Sequence, residues 1–335
     1  MGTDKVADLA IDTAALEAEE ALDRSRTIKR LKTLDLGFHI ATLSAASAVL
    51  LLLGGVIASL VIGSIPAFQA FGLDFLTTQS WNPVTEKFGA LAPIYGTVVT
   101  SALAMLLAVP VGLGIAIFLT ELCPQPLRRP IGIAIELLAG IPSIIYGIWG
   151  LFVLAPLVQQ HVQPGLIGTF ANVPVLSTLF AGPPYGIGVL TASFILAIMV
   201  LPFITSISRD VFATVPAVLK EAAYGTGCTT WEVVRSIVIP YTRVGVIGGV
   251  MLGLGRALGE TMAVTFIIGN AHKISASLLA PGTTISATIA NEFTEAVGDI
   301  YTSSLVALGL ILFGITFVIL AIARYMLMRL ERKGA

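Results

Sequence analysis

Charge is scarce in this sequence. Only 12% of its 335 residues are Asp, Glu, Lys or Arg, about half the roughly 25% of an average soluble domain. Two long intervals, Phe88 to Thr120 and Leu137 to Ser208, hold none at all. With 56% hydrophobic residues, that shortage argues against a soluble fold and for a polytopic membrane protein. Cysteine is limited to Cys123 and Cys228. Both fall on the face assigned below to the cytoplasm, where thiols stay reduced, so no disulfide is expected. His39, His161 and His272 lie far apart without ligand spacing, and no metal site is expected. No lysine follows a glycine and precedes Ser or Thr, so a Walker A loop is missing and ATP is not bound by that route. No nucleophile–base constellation stands out, and the chain is read as no enzyme. The net charge of −1 says nothing about partners, but in the polar stretch at 220–241 Lys220 and Arg235 are balanced by Glu221 and Glu232, which leaves no basic footprint for nucleic acid.

What is there is apolar and helix-competent. Runs of about 20 apolar residues cross a bilayer as helices. They predict an all-α integral membrane protein with six transmembrane helices. The first run, from about Leu36 to Ile62, is longer than a signal-peptide core of about 7–15 residues and is read as an uncleaved span. The second lies between Phe88 and Thr120, with Pro110 and Gly112 as bending points, and Glu121 to Pro130 is a short polar turn. The uncharged interval beyond it is too long for one span. It places span three near 131–157 and span four near 185–207, with a Pro- and Gly-rich segment between that lies in the interface or dips back into the protein. Spans five and six are expected near 244–270 and from Ile300 to Ala323.

In domain terms this is a cytoplasmic tail at 1–34, a first span at 35–62 and a periplasmic loop at 63–90. A transmembrane core at 91–328 follows, with a polar loop at 208–241, and then a tail at 329–335. The N-terminal tail is acidic up to Asp23 and basic from Arg24 to Lys32, and Leu16, Leu22, Ile28 and Leu31 hint at an amphipathic helix. Nearly all Lys and Arg fall in that tail, the 121–130 turn, the polar loop and the C-terminal tail; the alternate loops hold only Lys87 and Lys273. The positive-inside rule then puts both termini and the polar loop in the cytoplasm.

The polar loop is the most patterned stretch. Pro216 suits a helix start, and Gly225 and Gly227 suit its end. Thr229 with Glu232 three residues on has the form of a capping box. A second short helix from Trp231 to Ile239 is expected, limited by Pro240. Glu221-Ala222-Ala223, then Gly227, then Ile237-x-Ile239-Pro240 resembles the EAA loop of ABC importer permeases, EAA-x3-G-x9-I-x-L-P, with Ile239 in place of Leu. The resemblance implies a type I (MetI-like) permease core in which Glu221, Ala222, Ala223, Gly227, Ile237 and Pro240 form a coupling loop that docks on a separate ATPase.

Charges inside the expected spans are the other signal. Arg256 lies about 18 Å into span five at 1.5 Å per residue, where an unpaired charge costs several kcal/mol. Glu260, four residues on, is expected on the same helix face, and Glu136 a turn or two inside span three. Two readings stand: Arg256 and Glu260 neutralise each other as a packing pair, or Arg256 meets an anion in a translocation path, its guanidinium matching a tetrahedral oxyanion by forked hydrogen bonds.

The runs Gly255–Ala263, Glu136–Gly147 and Ala92–Thr97 resemble the motifs of phosphate-importer permeases, and the match covers about residues 35–330. It implies a pore-forming permease, moving phosphate by alternating access, paired with a second permease, PstA. It further implies two copies of the ATPase PstB carrying ATP-Mg, the periplasmic binding protein PstS, and a link to PhoU and a sensor kinase; this chain itself binds no cofactor. The alternatives are a permease for another oxyanion, sulfate or molybdate, and a stand-alone secondary transporter.

Overall fold

The structure, a computed structural model, describes the backbone of residues 3–334 and the side chains of residues 31, 32 and 34–329. The residues behind the expected N-terminal amphipathic helix, Leu16, Leu22 and Ile28, and the end of the C-terminal tail lie outside the described side chains. The chain divides into two units, Met1–Ser59 and Leu60–Ala335. The first is a stretch of one helix, α1 (Thr3–Phe71). The second carries the remaining helices: α2 (Leu91–Leu122), α3 (Gln125–Ala139), α4 (Ser143–Phe170), α5 (Val189–Ala213), α6 (Ala217–Gly225), α7 (Thr230–Gly259), α8 (Ile285–Glu292) and α9 (Asp299–Gly334). Short helical turns add Asp74–Thr77, Leu176–Leu179 and Met262–Thr265. Among the described residues the one extended pairing is a bridge between Asn82 and Lys87.

Among the described residues six helices are long and apolar enough to cross a membrane: residues Leu34–Phe71 of α1, then α2, α4, α5, α7, and Asp299–Arg329 of α9. The number agrees with the sequence, while several ends differ for physical reasons. The first helix runs to Phe71 rather than ending at Ile62, so the connector that follows is shorter than 63–90. Pro66 does not stop α1, because the Ser303 hydroxyl enters its ladder. It donates to Gly63 O at 2.7 Å and accepts from Ala67 N at 2.9 Å, satisfying groups that a proline kink separates.

The expected span at 131–157 is two elements. α3 ends at Ala139, and Pro142 in extended backbone starts α4; the Tyr146 hydroxyl donates to Leu138 O across the break at 2.8 Å. The Glu121–Pro130 turn is largely helical, with Pro130 inside α3. α5 continues to Ala213, past the expected start of the polar loop at 208.

Pro240 also fails to end its helix. Residues Val234–Val238 form a π turn in which Ile239 N donates to Val234 O. That register leaves room for a residue with no N–H, and α7 passes straight through to Gly259.

α5 is the central helix: 67% of its most apolar stretch is buried, against 33% or less in α2, α4, α7 and α9. Ile195, Leu196, Met199, Val200 and Ile204 of α5 form the main core with Ala104 and Ala108 of α2 and Ala257 of α7. The α5–α7 contact is close because of glycine. A Cβ at Gly245 would stand 2.6 Å from Val211, at Gly249 2.7 Å from Ile207, and at Gly253 3.0 Å from Ile204. These glycines recur every four residues on one face of α7, the small-residue seam by which apolar helices pack in lipid. Gly255, off that face, meets Leu320 only at 3.9 Å.

Gly249→Ile is therefore expected to destabilise by about 1–3 kcal/mol through overpacking. Gly248→Ile, next to it with nothing within 4 Å, serves as the control. Thermal unfolding of the purified chain in detergent checks this; equal midpoints for the two variants would remove the seam.

Candidate functional site

The polar loop folds as its sequence predicts up to Pro240. Pro216 caps α6 in extended backbone. The helix closes where Gly227 turns to φ +89, a conformation that costs an L residue about 1–2 kcal/mol. Gly227 N donates to Tyr224 O and Cys228 N to Ala223 O. Thr229 then starts α7 with the full capping box: its backbone N–H donates to the Glu232 carboxylate at 2.7 Å, and Glu232 N donates to Thr229 Oγ1 at 3.4 Å.

The EAA positions divide by face. Ala223 and Ile237 pack onto a small core of Ala116, Phe212, Val215, Val233 and Val238. Glu221, Ala222 and Gly227 are exposed, as are Val218, Tyr224 and Trp231. Glu221 makes no ion pair among the described residues. Lys220 does: its Nζ lies 2.5 Å from Glu121 Oε1, with the Glu121 side chain only 6% exposed. That contact ties α6 to the end of α2. The loop therefore offers an apolar and acidic outer face on a braced inner one.

Arg256 and Glu260 lie at a break in the chain, not on one helix face. α7 stops at Gly259, and Glu260 takes extended backbone at φ −69, ψ 130 before the short helix Met262–Thr265 begins. Arg256, in the last turn of α7, is exposed and stacks over the Phe203 ring at 4.4 Å. The Glu260 carboxylate accepts from Ala263 N at 3.3 Å at the start of the next helix. A cation at a helix C-terminus and an anion at an N-terminus are each on the end the helix dipole favours. No ion pair joins the two among the described residues. Glu136 is not with them: it sits on α3, with its Oε1 2.6 Å from Arg209 Nη2 near the end of α5, a partner the sequence reading missed.

The three recognised motifs converge on the segment after the break. Gly147 of α4 lies against Met262, Ala263 and Phe266, where a Cβ would come within 2.8–3.2 Å. At the start of α2, Gly96 has no room for a Cβ because the Thr283 carbonyl occupies it. Thr97 Oγ1 accepts from Ile285 N at 2.9 Å, and the Tyr95 hydroxyl donates to Ser275 O at 3.0 Å. The non-helical stretch around 266–284 is thus held on irregular backbone within a helical protein, a state tolerated at membrane depth only where protein or a water-filled cavity surrounds it.

At the end of α2 opposite the polar loop lies a polar knot that the sequence did not announce. The Glu292 carboxylate accepts from Trp81 Nε1 at 2.6 Å and the Tyr301 hydroxyl at 2.7 Å, and its other oxygen is 2.9 Å from His272 Nε2. Trp81 stacks on His272 at 5.2 Å and Tyr301 on Phe88 at 5.0 Å. Burial pushes the Glu292 carboxyl up, but the hydrogen bonds from His272, Tyr301 and Trp81 outweigh it and leave the group below its ordinary value. Lys273, beside the knot, is exposed. Among the described residues no cluster of His, Cys, Asp or Glu could hold a metal ion.

Comparison with known proteins follows the same lines. Residues 108–332 match the family described as binding-protein-dependent transport system inner membrane component. A "Phosphate transport system permease protein PstC" of Mesorhizobium japonicum is 72% identical over 326 residues, covering 96% of this chain and all of that one. A "Probable phosphate transport system permease protein PstC" of Methanocaldococcus jannaschii is 39% identical over 90% of this chain and 96% of its own. Among solved structures, a bacterial ABC transporter for import of the acidic polysaccharide alginate aligns with TM-score 0.56 at 18% identity, over 83% of this chain and 94% of that one. The MetNI methionine ABC transporter aligns with TM-score 0.51 at 15% identity, over 71% and 94%. At those identities the two structures speak for the fold alone.

The knot carries a pH dependence. Because the Glu292 carboxyl is lowered in the folded state, its stabilisation is complete above the ordinary Glu value of about 4.3 and is lost as pH falls through the lowered value. Glu292→Gln is expected to be less stable than the parent at neutral pH, with the gap closing on acidification. Thermal midpoints across pH 3–7 for both proteins check this, and a constant gap would contradict it.

Proposed function

The chain belongs to the family of binding-protein-dependent transport system inner membrane components, and from that premise we propose that it is the pore-forming permease subunit of an ATP-driven phosphate importer. The 72% identity to a phosphate transport permease across nearly the whole chain carries this reading. The two sites give it a mechanism. The exposed face of α6, with Glu221 and Ala222, docks in a groove of a partner ATPase, which holds ATP-Mg and does the hydrolysis. The inner residues Ala223, Ile237 and the Lys220–Glu121 pair transmit its closure to α2 and α7. α7 leads without interruption to Arg256 and the break at Glu260.

At that break an exposed guanidinium and the irregular backbone after it form the polar path for a tetrahedral oxyanion. Glu260 fixes the next helix and keeps the site from being so positive that the anion stays bound. Glu136 acts at a distance from this path, through Arg209. The pore is completed by a second permease of the PstA kind. Two copies of an ATPase of the PstB kind lie below, and a periplasmic binding protein of the PstS kind delivers phosphate to the end that carries the Trp81–Glu292 knot and Lys273. A link to PhoU and a sensor kinase belongs to the same reading. The density of Lys and Arg at the α6 end and in the tails supports placing that end and both termini in the cytoplasm.

Three measurements test this. Deleting the chain is expected to abolish uptake of labelled phosphate at low external concentration and to spare sulfate and molybdate; loss of another oxyanion instead would keep the permease and change its substrate. Glu221→Lys and Gly227→Val are expected to leave membrane insertion intact but to uncouple ATPase activity from binding-protein-delivered phosphate. Normal stimulation in both would remove the docking role. Arg256→Gln is expected to cut uptake by about tenfold or more with the complex still assembled; parental uptake would make Arg256 a packing residue.

A further inference from the structure

A cleft of about 310 Å³ opens between the end of α2, α3 and the end of α5, lined by residues other than those of the α6 face and the break at Glu260. Its chemistry comes from Thr120, Arg128, Arg129, Glu136, Arg209 and Asp210. The three guanidinium groups face two carboxylates, and the carboxylates are already committed. Arg209 Nη2 lies 2.6 Å from Glu136 and 3.0 Å from Asp210. That clamp is built in: Gly132 is buried beside it, and a Cβ there would stand 2.8 Å from Arg209 Nη1.

Arg128 and Arg129 are left over. Arg128 Nη2 donates to Thr120 O at 2.8 Å, which holds the group at the cleft wall and leaves most of its fork free. Arg129 makes no ion pair among the described residues, and neither does Arg128. Two adjacent like charges repel, and an anion between them relieves that repulsion more than solvent screening does. A carboxylate satisfies one fork, whereas a phosphoryl group has enough oxygens to meet two forks from different directions. The cleft holds about ten water volumes, enough for such a group with part of its hydration shell.

We propose that this cleft is a second oxyanion site, separate from the translocation path, that binds a phosphoryl group through Arg128 and Arg129. Two sources share that chemistry. Exposed Leu127, Ile133, Leu137 and Leu138 make α3 an amphipathic helix of the kind that lies in a membrane interface, which brings lipid headgroups to the arginines. Free inorganic phosphate on the same side of the membrane is the other source. Either ligand would act on Arg209 and Asp210, which lie near the end of α5, the helix that precedes α6. The inference does not depend on which solute the pore carries.

The test uses the assembled transporter in phosphatidylcholine nanodiscs, as parent, Arg129→Gln, and Arg128→Gln with Arg129→Gln. One arm measures binding of inorganic phosphate by calorimetry. The other measures retention of added phosphatidylglycerol by native mass spectrometry. Loss of one charged fork is expected to weaken binding by about tenfold or more in one arm, with elution of the complex unchanged. Weakening in the phosphatidylglycerol arm alone assigns the headgroup, and weakening in the phosphate arm alone assigns the free anion. Equal binding by parent and variants in both arms, or no binding by the parent in either, overturns the site. Arg129 is exposed and makes no hydrogen bond or ion pair among the described residues, so the single variant decides if the double variant fails to assemble.

Discussion

Lipid offers no hydrogen bonds, so every interruption of a helix inside the membrane must find its partners within the protein. That requirement organises this chain. At three places where the helical ladder breaks a side chain supplies a partner: the Ser303 hydroxyl at Pro66, the Tyr146 hydroxyl at the Gly140–Pro142 break, the Glu260 carboxylate at the helix that follows Gly259. At Pro240 the ladder changes register instead, through the π turn. One break carries the candidate path residues Arg256 and Glu260. Arg256 is placed at a helix end because a break created one, and its charge is better tolerated there than in mid-helix.

Much of this was legible from the residues. Uncharged runs gave six spans because apolar length is a direct measure of bilayer crossing. The capping box at Thr229 and the turn at Gly227 were readable because both depend on residues within a few positions of one another. What the residues do not reveal is where backbone register or a distant partner overrides a local rule. A local rule makes Pro240 a stop, but the π turn absorbs it. Glu136 was placed inside a span because apolar composition continues across Gly140–Pro142; its partner, Arg209, is 73 residues away. The Trp81–Glu292 bond spans 211 residues, and no local pattern announces it. Arg256 and Glu260 have the spacing of one helix face, and only the backbone at Glu260 separates them.

The two ends of the molecule solve different problems. At the α6 end the ionic contacts are few and short, and they brace one element against another: Lys220 with Glu121, Arg209 with Glu136 and Asp210. Breaking a buried pair of the Lys220–Glu121 kind leaves a charge without a partner, the costly case. At the other end one carboxylate gathers three donors and a set of stacked rings, which fixes the connector after α1 to the segment before α9. Between them the α5–α7 glycine seam keeps two helices in close register.

The continuity of α7 turns it into a lever. From Trp231 beside the docking face to Arg256 is 25 residues, roughly 38 Å of helix at 1.5 Å per residue. The π turn keeps that rod unbroken past Pro240. A tilt of about 10° about its loop end moves the Arg256 end by about 7 Å over that length, more than the width of a water molecule. In the proposed importer a small rotation at the loop end is therefore enough to shift the far end by that distance, with no need to refold anything between.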